Sequence, residues 1–214
     1  MEAYFEYGQE AVDYLSKKDK KLARVIEQVG PIQRAVEPDL FTAVVYNIVA
    51  QQISAAGLAT VWARMQEKLG TVAPELVFSL APEELQQCGM TFRKVEYIQD
   101  FARQVVSGEF DLQALPSMND EQAICALSSL RGIGRWTAEM LLLFCLQRPD
   151  IFAFDDLGIH RGLRMVYRHK EITRERFEQF RRRFSPYGSV ASLYFWAVAG
   201  GAIPDLTDPA KPKK

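Results

Sequence analysis

Apolar residues recur every three to four positions along most of this chain. Leu40, Val44, Val45, Ile48 and Val49 form one such stripe, and Leu58, Val61, Trp62, Met65 and Leu69 form another. That spacing puts side chains on one face of an α-helix and assigns Trp62 to the core. No comparable run alternates with the period of two that a half-buried strand needs. Breakers with helix-start chemistry separate the stripes: Pro38-Asp39 before LFTAVVYNIV, Ala81-Pro82-Glu83-Glu84 before Leu85, and Asn119-Asp120-Glu121 before the segment carrying Ile124 and Leu127. Helices are expected over residues 9–18, 20–29, 39–51, 55–69, 93–107, 119–128, 135–146, 157–167, 172–184 and 188–199, which makes an all-α protein. Only the closing stretch PDLTDPAKPKK reads as disordered, within which 205–214 is taken as the tail.

Composition narrows the setting without naming a chemistry. A chain of 214 residues, 48% hydrophobic and 25% charged, can bury a substantial core in one or two domains. Its longest apolar runs, such as AEMLLLFCL, fall short of the ~20 residues that span a bilayer. MEAYFEYGQE lacks the basic and then apolar pattern of an export signal, so a cytoplasmic location is expected. Cys88, Cys125 and Cys145 are odd in number and widely spaced, which argues against a disulfide framework, a zinc site or an iron-sulfur cluster. The net charge of −1 is unevenly spread, with 12 basic against 7 acidic residues over 131–183. That local excess is either the footprint of a polyanionic partner or the solvated face of RERFEQFRRRF.

The excess begins at LRGIGRWTAEMLLLF, residues 130–144. A helix runs into Leu130-Arg131-Gly132-Ile133-Gly134 and the next starts near Arg135, so the segment reads as helix, tight hairpin, helix. Glycines at 132 and 134 permit positive φ and let another molecule approach the backbone. Amides at the start of the second helix would favour an anion such as a phosphate. A helix-to-helix connector that merely uses glycine is the plain alternative.

L-x-G-I-G-x-W-T-A, with an Asp twenty residues beyond the Trp in IFAFDDLGIHRGL, resembles the helix-hairpin-helix (HhH-GPD) DNA glycosylase superfamily. Within it the chain is most similar to the alkylation-repair branch, the DNA-3-methyladenine glycosylase II type. IVAQQIS at 48–54, GMTFRKVEYI at 89–98 and SPYGSVASLYFW at 185–196 agree in order and spacing. The resemblance spans roughly residues 20–200. It implies two helical subdomains with a cleft between them: a middle bundle over 31–136, the motif itself at 119–146, and a second subdomain of 1–30 plus 137–204. The α/β domain that precedes these in larger members is not expected.

What the resemblance implies chemically can be set against the residues present. Breaking an N-glycosidic bond builds positive charge on the sugar, which a carboxylate stabilises while it orients the attacking water. The matching carboxylate is Asp156; its neighbour Asp155 is the rival for that role, with the N-cap of the helix over 157–167 as its alternative reading. Branches that also nick the backbone carry at position 136 a lysine that forms a Schiff base. Trp136 stands there, which implies a monofunctional hydrolase with an aromatic face for a cationic base. Trp196 matches a second pocket wall, while Tyr194 and Phe144 stay unassigned. Gln52 matches the wedge that enters the duplex when the nucleotide flips out. Gly132, Gly134 and, less directly, Arg135 would meet phosphate. The carbonyls of Ser128, Leu130 and Ile133 match a monovalent cation site (Na+ or K+), and no other cofactor is expected. His160 reads as structural or as a pocket neighbour. Gly188 departs from the arginine expected there. The expected partner is double-stranded DNA bearing 3-methyladenine or 7-methylguanine, bound by a monomer. A non-catalytic DNA-binding module, or a glycosylase for another damaged or mismatched base, are the alternatives.

Overall fold

The computed structural model describes residues 3–210. Twelve α-helices occur among them: α1 (Gln9–Lys18), α2 (Lys20–Val29), α3 (Leu40–Ala50), α4 (Ala55–Leu69), α5 (Pro74–Ser79), α6 (Pro82–Gln86), α7 (Phe92–Val106), α8 (Asp120–Ser128), α9 (Arg135–Phe144), α10 (Leu157–Tyr167), α11 (Arg174–Phe184) and α12 (Gly188–Ala199). Side chains set most of these starts. Asp19, Asp39, Ser54, Thr91, Asn119, Asp156 and Thr173 each accept a hydrogen bond from a first-turn amide of the helix that follows, a contact that stabilises a helix by about 1 kcal/mol. Two features escape the periodicity. α5 is six residues long, too short to display a stripe. Strands β1 (Ala3–Tyr4) and β2 (Ala35–Val36) pair antiparallel over two residues each, too briefly for alternation to be legible.

The chain divides into two compact units. One runs to Val36 and resumes at Gln147, and so holds α1, α2 and α10 to α12. Leu15, Leu22, Phe177, Phe184 and Phe195 are fully buried in it, and Phe152 stacks on Phe177 with ring centroids 4.9 Å apart. α10 lies tight against α12 because Gly158 and Gly162 recur one turn apart; a Cβ on Gly162 would overlap the carbonyl oxygen of Phe195. The other unit, Glu37–Leu146, holds α3 to α9. Val44, Val45, Ile48 and Val49 of α3 are fully buried there, and Phe41 stacks on Phe101 at 5.0 Å.

Four expectations need correction. The division expected at 136 falls at 146/147, because Ala138, Leu142 and Leu143 are fully buried and keep the whole of α9 with α8 and α3. The earlier division expected at 30/31 falls at 36/37, after β2. The tail expected to be disordered from 205 is held as far as the structure describes it. Arg164 forks onto Asp208 at 3.0 and 2.6 Å, and Arg168 donates to the Thr207 carbonyl at 3.4 Å; residues 211–214 lie outside the described residues. Trp62, assigned to the core, is half-buried and meets Tyr46 edge-on at 4.9 Å.

Candidate active site

Asp156 ends the loop between α9 and α10, and that loop is fastened to α12. Ser189 Oγ donates to the Arg148 carbonyl and accepts from the Ile151 amide at 2.9 Å; Ser192 Oγ donates to the Ile151 carbonyl at 3.2 Å. Both serines are fully buried. Asp150 caps α12, with one oxygen 3.0 Å from the Gly188 amide and the other 2.6 Å from Ser185 Oγ. This explains the departure at 188. A Cβ there would stand 2.9 Å from the Asp150 carboxylate, so the room an arginine stem would need is taken by the cap.

At the end of this anchored loop the two adjacent carboxylates part company. Asp155 is exposed, whereas Asp156 is only 6% exposed and is itself the N-cap of α10. The expectation that Asp155 caps the helix is therefore corrected. Asp156 Oδ1 accepts from the Ile159 amide at 2.8 Å and from the Trp196 indole Nε1 at 2.8 Å. Trp196, expected as a wall for the base, thus has its N–H committed to the carboxylate. A carboxylate fed by a helix-start amide and a second donor is held in one orientation. Leu157, next in the chain, is 85% exposed, an apolar side chain beside the carboxylate that sequence patterning alone does not single out. His160 is structural: its Nε2 lies 2.7 Å from the Phe154 carbonyl and its ring stacks on Phe177 at 5.3 Å. Tyr194 is buried, with its hydroxyl on the Gly30 carbonyl at 3.2 Å; Phe144 is half-buried.

In the other unit the hairpin has the geometry that its glycines suggest. Gly132 takes φ +85°, and a Cβ on it would overlap the Tyr97 ring. Gly134 caps α9 with no side-chain bond, and a Cβ there would meet nothing within 4 Å. One glycine is required by the fold, and the other leaves its backbone approachable. Leu130 and Ile133 are buried, with the Ile133 amide on the Leu130 carbonyl at 3.1 Å. Ser128 Oγ is buried without a hydrogen-bond partner. Arg135, expected at phosphate, forks onto Glu121 at 2.6 and 3.1 Å and lies 3.4 Å from Glu139, so its charge is matched within the chain. Other members of the basic excess are paired as well: Arg131 with Glu96, Arg181 with Glu178, and Arg183 with Asp19. Trp136, second residue of α9, is 43% exposed.

Gln52 is exposed and left-handed, with φ 53°, immediately after α3. Its turn is braced from two sides. Gln51 Nε2 donates to the Gly132 carbonyl at 2.7 Å, and the Lys94 ammonium donates to the Val49 and Gln51 carbonyls at 2.8 and 2.6 Å. Burial pushes the Lys94 amine below its ordinary pKa. Tyr97, which fills the space over Gly132, accepts from Arg93 Nε at 2.6 Å and has the Arg131 guanidinium 5.3 Å from its ring centre. The turn and the hairpin are thus fastened together through α7. Lys94 and Tyr97 lie inside GMTFRKVEYI, where local pattern gives neither side chain a role.

Comparison with known proteins places the chain in a family and a fold. The family described as HhH-GPD superfamily base excision DNA repair protein matches residues 45–186. The DNA-3-methyladenine glycosylase 1 of Schizosaccharomyces pombe is 26% identical, over 94% of this chain and 91% of its own. A solved DNA-3-methyladenine glycosidase from Bacillus halodurans is 32% identical with a TM-score of 0.83, over 92% of this chain and 93% of that one. The 3-methyladenine DNA glycosylase Mag1 of Schizosaccharomyces pombe, solved in complex with abasic DNA, is 26% identical with a TM-score of 0.78, over 89% of this chain and 97% of that one.

Proposed function

Because the chain belongs to the HhH-GPD superfamily of base excision DNA repair proteins, we propose that it excises 3-methyladenine and 7-methylguanine from double-stranded DNA, as a monomer, by hydrolysis alone. The observation that carries this reading is the buried Asp156 carboxylate, fixed at the start of α10 by two donors on one oxygen.

The chemistry follows from the charges. An N-alkylated purine is cationic, so its glycosidic bond can break with the electron pair passing to the ring nitrogen, and the base leaves neutral. Positive charge then grows on the sugar, where the Asp156 carboxylate stabilises it. Water adds at C1′ and gives its proton to the same carboxylate, leaving an abasic site. Trp136 supplies no amine for a Schiff base, so the strand stays intact. Its half-exposed ring suits stacking on a cationic base, an attraction on the order of 1 kcal/mol.

Access to C1′ requires the nucleotide to leave the stack. Gln52, held at the tip of a braced turn, enters the vacancy and hydrogen-bonds the orphaned partner base. The amides at Gly132 and Gly134 grip phosphate, and Arg135 would reach it only by leaving Glu121 and Glu139, which match its charge within the chain. A monovalent cation fits the hairpin, since the buried Ser128 hydroxyl still needs a partner there. The carbonyls of Ser128, Leu130 and Ile133 would hold it, and it would supply positive charge toward a DNA phosphate.

The test is release of free base from methylated duplex DNA, resolved by chromatography. 3-Methyladenine and 7-methylguanine are expected in the supernatant with the strand intact until heat or alkali is applied. No free base across a panel of lesions would leave only DNA binding. Nicking without heat or alkali would refute hydrolysis as the whole reaction.

A further inference from the structure

We infer that Trp196 and Gly158 form a positioning pair for the Asp156 carboxylate, so that the work of Trp196 is done by its indole N–H and not by its face as a wall for the base. The inference rests on Asp156 being the catalytic carboxylate. Three contacts carry it. Trp196 Nε1 donates to Asp156 Oδ1 at 2.8 Å, from a residue forty positions away on α12. The Ile159 amide reaches the same oxygen, also at 2.8 Å, so the two donors fix both the position and the rotation of the carboxylate. Gly158, which lies between these partners, has no side chain to part them. A Cβ there would stand 2.6 Å from Trp196 Cδ1, 3.1 Å from its Nε1 and 3.1 Å from Asp156 Oδ1.

The glycine is informative because its backbone does not require it. Gly158 is the second residue of α10 and is not among the glycines with positive φ, so alanine would suit the helix better by about 1 kcal/mol. The reason for glycine is the space it leaves for the indole.

The experiment uses the full chain with Trp196→Phe, Gly158→Ala, the double variant and Asp156→Asn, in single-turnover excision of 7-methylguanine from a duplex at saturating enzyme, beside the affinity for the same duplex. Thermal unfolding confirms that each variant is folded. Trp196→Phe keeps an aromatic ring and removes the donor. Its single-turnover rate is expected to fall about tenfold while the affinity for lesion duplex changes less than about twofold. Gly158→Ala is expected to do the same although it favours the helix. The double variant is expected to be about as slow as the slower single one, since both remove one interaction. A Trp196→Phe variant that weakens lesion binding while its single-turnover rate at saturating enzyme stays at the wild-type value would make the indole a wall and overturn the inference. A Gly158→Ala variant with wild-type rate, or multiplicative loss in the double variant, would overturn it too. Wild-type excision by Asp156→Asn would instead refute the underlying assignment of the carboxylate, so the two failures are told apart.

Discussion

Asp156 does two jobs with one carboxylate, and two substitutions separate them. Its Oδ1 caps α10 through the Ile159 amide and accepts the Trp196 indole, so it satisfies two donors at a position that is 6% exposed. Asparagine keeps an oxygen in the same place and is as good an N-cap, so Asp156→Asn should change stability by less than about 0.5 kcal/mol. Alanine removes the cap, worth about 1 kcal/mol. It also takes the Asp156 acceptor from the half-buried Trp196 indole N–H, worth about 1 to 3 kcal/mol. Together these predict a loss of about 2 to 4 kcal/mol, or a Tm lower by about 4 to 16 °C at this chain length. Catalysis should show the opposite grouping. Both variants lose the negative charge that opposes the developing cation, so both should excise at least about a hundredfold more slowly. Single-turnover excision of 7-methylguanine, thermal unfolding and anisotropy with an abasic duplex read the three quantities separately. Asp156→Asn within tenfold of the wild-type rate would refute the assigned role. An Asp156→Ala protein as stable as Asp156→Asn would show that Oδ1 does not carry the cap.

Gly132→Ala should cost about 1 to 2 kcal/mol for the left-handed backbone and more for the overlap with Tyr97, and should weaken duplex binding; an unchanged Tm and affinity would show that the hairpin can re-form without φ +85°. Lys94→Met leaves the Val49 and Gln51 carbonyls without their ammonium donor. It should destabilise the second unit by about 2 kcal/mol and slow nucleotide flipping at Gln52. The fluorescence of 2-aminopurine beside the lesion reads the flipping step, and an unaltered rise would refute the bracing. The Arg164 guanidinium holds the Asp208 carboxyl below the usual carboxylate range. The latch therefore contributes stability above about pH 4 and loses it as pH falls through the depressed native value. Limited proteolysis should find the 204–210 stretch protected at pH 7 in the wild type and cut in Asp208→Asn; equal cutting in both would count against the latch.

What the chain determines by itself is mostly what acts over three or four residues. Caps at Asp39 and Asn119 and the stripes of α3 and α4 depend on neighbours within one turn, so helix positions are legible from the residues in order. The hairpin is legible for the same reason, with two glycines and two buried apolar residues between helices. The catalytic carboxylate is legible only through the resemblance, because nothing local distinguishes Asp156 from Asp155. Tertiary structure separates them: the loop fastened to α12 buries one and leaves the other in solvent. It likewise commits the Trp196 N–H to the carboxylate, matches Arg135 with Glu121, ties Gln51 to Gly132 across 81 residues and clasps a tail that composition alone marks as disordered. A side chain's partner is whatever packing brings within about 3 Å. That distance is set by helices placed far apart in the chain, and local pattern carries no trace of it.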